Sequence, residues 1–285
     1  MKTIKANNLA CPIDGEKLTL NDKQFICVNG HSFDIAKQGY VNLLPVQHKR
    51  SKDPGDSKEM VIARANFLNT GVYEPIAKKL CEIALSFVVD ARQLCFMDAG
   101  CGEGYYFDYA YNYFKKIEGN NKLSFIGLDI SKNAIVESAK RNKHITWVVG
   151  TNRQPPVSNN SVDLILCVFG FHSFNGFKKV LKNNSNIILV EAGVDHLKEL
   201  REIIYTEVKK TAPPSLSVAE ELGFKLIDTQ VLNFKTGNIN NQAINQLLLM
   251  TPHFFRANKE GQETAMNLQE LNLTVDVIFR VLNKN

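Results

Sequence analysis

An α/β fold built on a parallel sheet follows from how apolar runs alternate with helical stretches and from what ends the first two runs. Residues 94–98, 123–129, 145–150, 162–169 and 184–191 have the length and apolar continuity of buried strands, with helical patterns between several of them. Strands of that kind separated by helices make a parallel sheet with helices on both faces. The first two runs each end in an acid, Asp98 and Asp129, and three glycines follow Asp98 at alternate positions: Gly100, Gly102 and Gly104. Glycine lets the backbone turn sharply and leaves no side chain between chain and ligand. A strand running into such a turn suits a nucleotide-like cofactor lying across the carboxyl edge of the sheet, and a carboxylate at Asp129 can accept both hydroxyls of a ribose.

Composition sets the outer limits. With 285 residues, 44% hydrophobic and 22% charged, the chain can bury a sizeable core. No apolar stretch reaches the length of a membrane span, and no apolar segment typical of a secretion signal follows Met1, so a cytoplasmic protein with no membrane partner is expected. The six cysteines are scattered without a disulfide framework, which fits free thiols in a reducing compartment. The net charge of +5 permits a polyanionic partner without indicating one.

Taken in order, the chain begins with ten residues that read as a loose tail. Cys11-Pro12-Ile13-Asp14 and Cys27-Val28-Asn29-Gly30-His31 then pair ligand-type residues at C-x2-D and C-x3-H spacing, the layout of a small zinc module. Asp14 stands where such modules carry a thiolate. Either its carboxylate completes a harder, weaker zinc site, or the module is a degenerate finger held by its hairpins. His48, Lys49, Arg50 and Lys52 form a basic cluster that reads as a solvated linker or as a set of phosphate contacts. Residues 57–87 read as helix, interrupted at 69–71, and 104–116 and 131–141 as two more, the last with Ser131 as its cap. Asn residues in the turn at 181–186 suit a left-handed conformation. Residues 191–200 enter a helix, and 224–234 and 271–282 read as a closing antiparallel pair with helix 240–250 between them.

The G-x-G-x-G spacing, with Asp98 two residues ahead of it, is one residue tighter than the dinucleotide fingerprint, and NAD binding is the competing reading. The loop resembles motif I of class I S-adenosylmethionine-dependent methyltransferases. A second signature covers most of the chain. The zinc-like knuckle, G-Y-V-N-L-L-P at 39–45, H-K-R-S-K-D-P-G-D-S at 48–57 and A-R-A-N-F-L-N-T-G-V-Y at 63–73 resemble the bacterial 23S rRNA guanine-N1 methyltransferases of the RlmA type. The likeness returns at L-M-T-P, 249–252, and at Arg256-Ala257.

That resemblance implies a Rossmann-like class I methyltransferase sheet with a small N-terminal zinc-finger-like module. Its divisions are 1–36 for the module, 37–59 for a basic linker loop and 60–285 for the methyltransferase domain. It implies methyl transfer from S-adenosylmethionine to N1 of a guanine in a hairpin loop of 23S rRNA, and a homodimer. Tyr73, Asp98, Gly100, Gly102, Glu103, Gly104, Asp129, Asn152 and His196 would then hold the cofactor. Cys11, Asp14, Cys27 and His31 would hold zinc, and His48, Lys49, Arg50 and Lys52 would contact RNA. The chain departs from the family at Asp14, at Thr151–Val157 where a Leu-Pro-Phe is expected, and at 181–186 where a K-P-G-G turn is expected. His172 and Glu191 sit at strand ends where a general base is needed, and no motif chooses between them. A small-molecule methyltransferase and a non-catalytic relative are the competing functions.

Overall fold

The computed structural model describes every residue except 49, 50, 52, 89–92, 206, 209, 211, 252, 253, 255 and 256, and the backbone alone at 48. Its main sheet begins with β1 (Lys2–Ile4) and β5 (Tyr40–Asn42), and between them β2 (Thr19–Asn21), β3 (Gln24–Ile26) and β4 (Ser32–Asp34) form a separate small sheet. Helices α1 (Lys58–Leu68) and α2 (Glu74–Leu85) lead into β6 (Gln93–Ala99), α3 (Tyr105–Lys116), β7 (Lys122–Asp129), α4 (Lys132–Arg141) and β8 (Thr146–Val149). Next come β9 (Val162–Val168), α5 (Phe174–Val180), β10 (Leu181–Ala192), α6 (Lys198–Ile204) and α7 (Ser217–Glu221). The chain closes with β11 (Phe224–Asn240), α8 (Asn241–Met250), α9 (Lys259–Met266) and β12 (Glu270–Lys284).

Across the main sheet the order is β11-β12-β10-β9-β6-β7-β8-β5, with β1 beside β7. Strand β12 is antiparallel to both its neighbours, and the other described pairs are parallel. The order reverses at β6, which lies between β7 and β9, and a crevice opens at the carboxyl ends of strands at such a switch point. Period-two alternation sends Phe96, Phe125, Trp147 and Leu166 to one layer and Met97, Ile126, Val148 and Ile165 to the other. The first layer packs under α1–α4, α6, α8 and α9. The second packs under α5, α7 and the N-terminal module, which contributes Leu9, Leu18 and Cys27.

Several expectations change. The supposed loose tail carries β1, which pairs with Lys122–Ser124 of β7, the part of that strand short of β8. Residues 8–10 then attach to the loop after β8: Ala10 N–H donates to Pro156 O and Ser158 N–H to Asn8 O. The stretch read as linker opens with β5, which extends the sheet edge beyond β8. Helices α5, α7 and α9 were not anticipated; α5 and α7 are too short for a periodic apolar pattern to stand out. Strand β10 starts three residues early, and Asn184 takes the left-handed conformation (φ 59°) within a register shift between Leu181 and Asn186. Ser131 caps α4 by accepting from Ala134 N–H. Among the described residues no helix is long and apolar enough to cross a membrane.

Candidate active site and metal centre

The carboxyl ends of the central strands open on a cavity of about 1370 Å³. Its floor is the loop after β6, where Gly100, Gly102 and Gly104 all have positive φ (91°, 56° and 89°). A Cβ on Gly104 would come within 2.9 Å of Trp147, so α3 starts this close to the sheet only because residue 104 has no side chain. Asp129 fixes the loop: Oδ2 accepts from Gly102 N–H (2.9 Å) and Oδ1 from Ser131 N–H (2.8 Å). A carboxylate has about four lone-pair sites, so two remain for ligand hydroxyls.

Asp98 is 1% exposed and its Oδ1 has no hydrogen-bond partner. Burial, with the nearby Asp129 carboxylate, pushes its pKa up to about 8. A buried, unpartnered carboxyl lining a cavity suits a cationic ligand group, and S-adenosylmethionine brings an ammonium. The residues present therefore fit that cofactor. Tyr73 and His196 also line the cavity, with Tyr73 Oη and His196 Nε2 3.3 Å apart. His196 Nδ1 accepts from Asp276 N–H (3.3 Å), which leaves the proton of the neutral ring on Nε2, facing Tyr73.

Glu103 and Asn152 line the cavity as well, and each also has a protein partner. The Glu103 carboxylate is 2% exposed and bound by Arg141 at 2.5 Å. Asn152 uses its side-chain N–H to hold Phe171 O (3.1 Å), so it shapes the loop after β9. That loop forms the other half of the cavity. Phe169, in the left-handed region (φ 50°), is 43% exposed, and Phe171 is 59% exposed with the Arg153 guanidinium 5.3 Å from its ring centre. Behind them Arg280 grips Glu191 through two bonds of 2.6 Å, and His172 Nδ1 lies 3.8 Å from Glu191 Oε1. Burial, and then the Arg280 charge, push His172 down to about 4.

The second site lies in the N-terminal module. The donor atoms of Cys11, Asp14, Cys27 and His31 all lie within 4.8 Å of one another. His31 Nδ1 is 2.9 Å from Asp14 Oδ2, 3.4 Å from Cys27 Sγ and 3.5 Å from Cys11 Sγ. Tetrahedral zinc with bonds of about 2.0–2.3 Å separates its ligand atoms by about 3.3–3.8 Å, and the two His31–thiol distances fall in that range while His31–Asp14 is slightly short of it. Asp14 is aimed into the cluster: Glu16 N–H takes Oδ1 (2.9 Å), and Asn29 donates to Oδ2 (3.0 Å). The Asn29 amide and Glu16 N–H hold this carboxyl well below the usual range, ionised as a ligand must be. Two thiols, an imidazole and a carboxylate fit zinc.

The expected RNA contacts Lys49, Arg50 and Lys52 lie outside the described residues, and His48 is described by its backbone in a 3₁₀ turn, Val46–His48. Neighbouring Ser51 and Pro54–Asp56 line the cavity. Sequence reasoning missed Arg64, Tyr106 and the aromatic pair Phe169 and Phe171. The A-R-A-N-F segment contained Arg64, but its helix has only a patchy apolar face, and no spacing rule marks one arginine on it.

Residues 9–52 match the family model described as RlmA, N-terminal, a zinc ribbon, and residues 97–189 match the methyltransferase domain model. A Bacillus subtilis (strain 168) protein with the provisional name 23S rRNA (guanine-N(1)-)-methyltransferase is 27% identical, covering 97% of both chains. The 23S rRNA (guanine(748)-N(1))-methyltransferase of Streptomyces fradiae is 27% identical over 96% of this chain and 95% of its own. A Micromonospora griseorubida protein, again provisionally named 23S rRNA (guanine-N(1)-)-methyltransferase, is 30% identical over 68% of both chains.

Proposed function

This chain belongs to the 23S rRNA (guanine-N1)-methyltransferase family, and from that premise we propose that it methylates N1 of a guanine in a hairpin loop of 23S rRNA. The observation that carries the reading is one cavity with two unlike halves. Over β6 and β7 lie the glycine loop, Asp98 and Asp129; over β9 and β10 lie Phe169, Phe171, His172 and Glu191. S-adenosylmethionine, when bound, supplies an electrophilic methyl group on a sulfonium. Asp98 holds its ammonium, Asp129 its ribose hydroxyls, and Tyr73 and His196 border the methionine end.

Guanine N1 lies on the Watson–Crick edge and carries a proton at neutral pH, so the base must be unpaired and the proton removed. The two half-exposed phenylalanines offer flat apolar surface on which an unstacked base can lie. Behind them stand Glu191, held by Arg280, and neutral His172, and removal of the proton falls to this pair. Lys49, Arg50 and Lys52 neutralise RNA phosphates, and Cys11, Asp14, Cys27 and His31 hold zinc that braces the module. The reaction takes place in the cytoplasm, and a homodimer, implied by the family resemblance, is part of the same proposal. Incubation with methyl-labelled cofactor and 23S rRNA lacking the modification tests the reading. Label should enter the rRNA, and label appearing only in added small-molecule acceptors would refute it.

A further inference from the structure

Three buried side-chain polar atoms among the described residues have no hydrogen-bond partner: Asp98 Oδ1, the Tyr106 hydroxyl and Arg201 Nε. All three residues line the one cavity of about 1370 Å³. Buried polar atoms without partners are few in folded proteins, and such a concentration in one cavity points to ligand groups that complete them. An ammonium on Asp98 leaves the hydroxyl of Tyr106 and the Nε of Arg201 to be explained.

Arg64 supplies the context. A Cβ built on Gly102 would lie 3.5 Å from Arg64 Nη1, so this guanidinium hangs over the glycine loop. Its charge acts on Glu103, Tyr106 and Asp129, which places it among them. One bond runs from Nη1 to the Asp56 carboxylate and one from Nη2 to Met250 O (3.3 Å). A guanidinium has five N–H donors, so three remain. Of the other two arginines lining the cavity, Arg153 lies over the Phe171 ring and Arg201 bonds Val194 O with its Nε unpartnered; of the three, Arg64 is the one that a Cβ on Gly102 would meet. Gly102 N–H bonds Asp129 itself, so a ribose on Asp129 brings the attached methionine chain within a few ångströms of Gly102. That chain ends in a carboxylate, and the ammonium on its α-carbon reaches Asp98. Planar guanidinium paired with carboxylate is the strong, oriented form of charge-assisted bond.

We propose that Arg64 and the Tyr106 hydroxyl together hold the α-carboxylate of S-adenosylmethionine, with Asp56 occupying Arg64 until the cofactor arrives. The assignment rests on the cofactor reading above and needs no RNA. Its test is calorimetric binding of S-adenosylmethionine and of its decarboxylated analogue to the purified full chain and to Arg64→Gln, Arg64→Lys and Tyr106→Phe. The unaltered chain should prefer the carboxylated ligand by about ten- to a hundredfold, the loss expected for a charge-assisted pair. Arg64→Gln should bind the decarboxylated analogue as the unaltered chain does and lose most of the preference. Arg64→Lys should keep an intermediate preference, and Tyr106→Phe should lower it by about threefold to tenfold. An unaltered chain that binds both ligands equally well, or an Arg64→Gln chain that loses both in equal measure, would overturn the proposal; the latter would make Arg64 a strut for residues 54–56. If Arg64→Gln does not fold, the other two variants and the unaltered chain still decide. Failure of the unaltered chain to bind either ligand would instead overturn the cofactor reading, and this assignment with it.

Discussion

Asp98 and Asp129 close adjacent strands, and the difference between them is one of partners. Asp129 has two backbone N–H donors, whereas Asp98 keeps one oxygen unpartnered at 1% exposure. With its pKa raised to about 8, Asp98 is mostly protonated at neutral pH in the free protein, and an ammonium binds only the ionised form. Cofactor affinity should therefore rise about tenfold per pH unit below about pH 7.5, and fall again above about pH 8 as the α-ammonium of the cofactor loses its proton. Asp98→Asn should bind weakly and without that slope; calorimetry showing a flat affinity for the unaltered chain between about pH 6 and 7.5 would contradict the role. Asp129→Ala should weaken the cofactor at least tenfold, about 1.5–3 kcal/mol for bonds to a charged acceptor. Because Asp129 also fixes Gly102 and Ser131, Asp129→Asn should lose less; equal affinity for all three chains would remove Asp129 from the ribose site. Both acids and the glycine loop were legible in the sequence because the signal is local. The engagements of Glu103 with Arg141 and of Asn152 with Phe171 O were not, since each depends on a partner 38 or 19 residues away.

Among the elements, the N-terminal module departs from the family at Asp14 and still brings its four donor atoms together. The knuckle spacing was readable, and Asp14 stands among the other three donors with its second oxygen tied back by Glu16 N–H. Elemental analysis should find about one zinc per chain, and X-ray absorption two sulfur and two lighter scatterers. Asp14→Cys should tighten zinc, since thiolate is the softer ligand, and Asp14→Ala should release it and loosen the hairpins β2–β4. A folded chain that takes up no zinc when it is supplied would make the module a hairpin held by packing. The strands missed by sequence reading, β1 and β5, are three residues each. Strands that short show almost no periodicity, and what makes them strands is the open edges of β7 and β8.

At the scale of the whole molecule, the cavity faces two clients, and the chain separates them. Its cofactor half is built from local motifs, and Ser51 and Pro54–Asp56, from the stretch of sequence that carries the basic cluster, also line it. Replacing Lys49, Arg50 and Lys52 together by Gln should weaken rRNA binding and flatten its salt dependence by about 2–3 units of slope. Cofactor affinity should stay as it was, and an unchanged salt slope would return the loop to a solvated linker. The most direct measurement is primer extension on unmodified 23S rRNA incubated with the protein and S-adenosylmethionine. A methyl on guanine N1 blocks the Watson–Crick edge and stops reverse transcriptase one nucleotide before it. A single cofactor-dependent stop at a guanine in a hairpin loop is the expected result. Methyl transfer to the rRNA with no such stop, or stops at residues other than guanine, would contradict guanine-N1 methylation even with the cofactor bound.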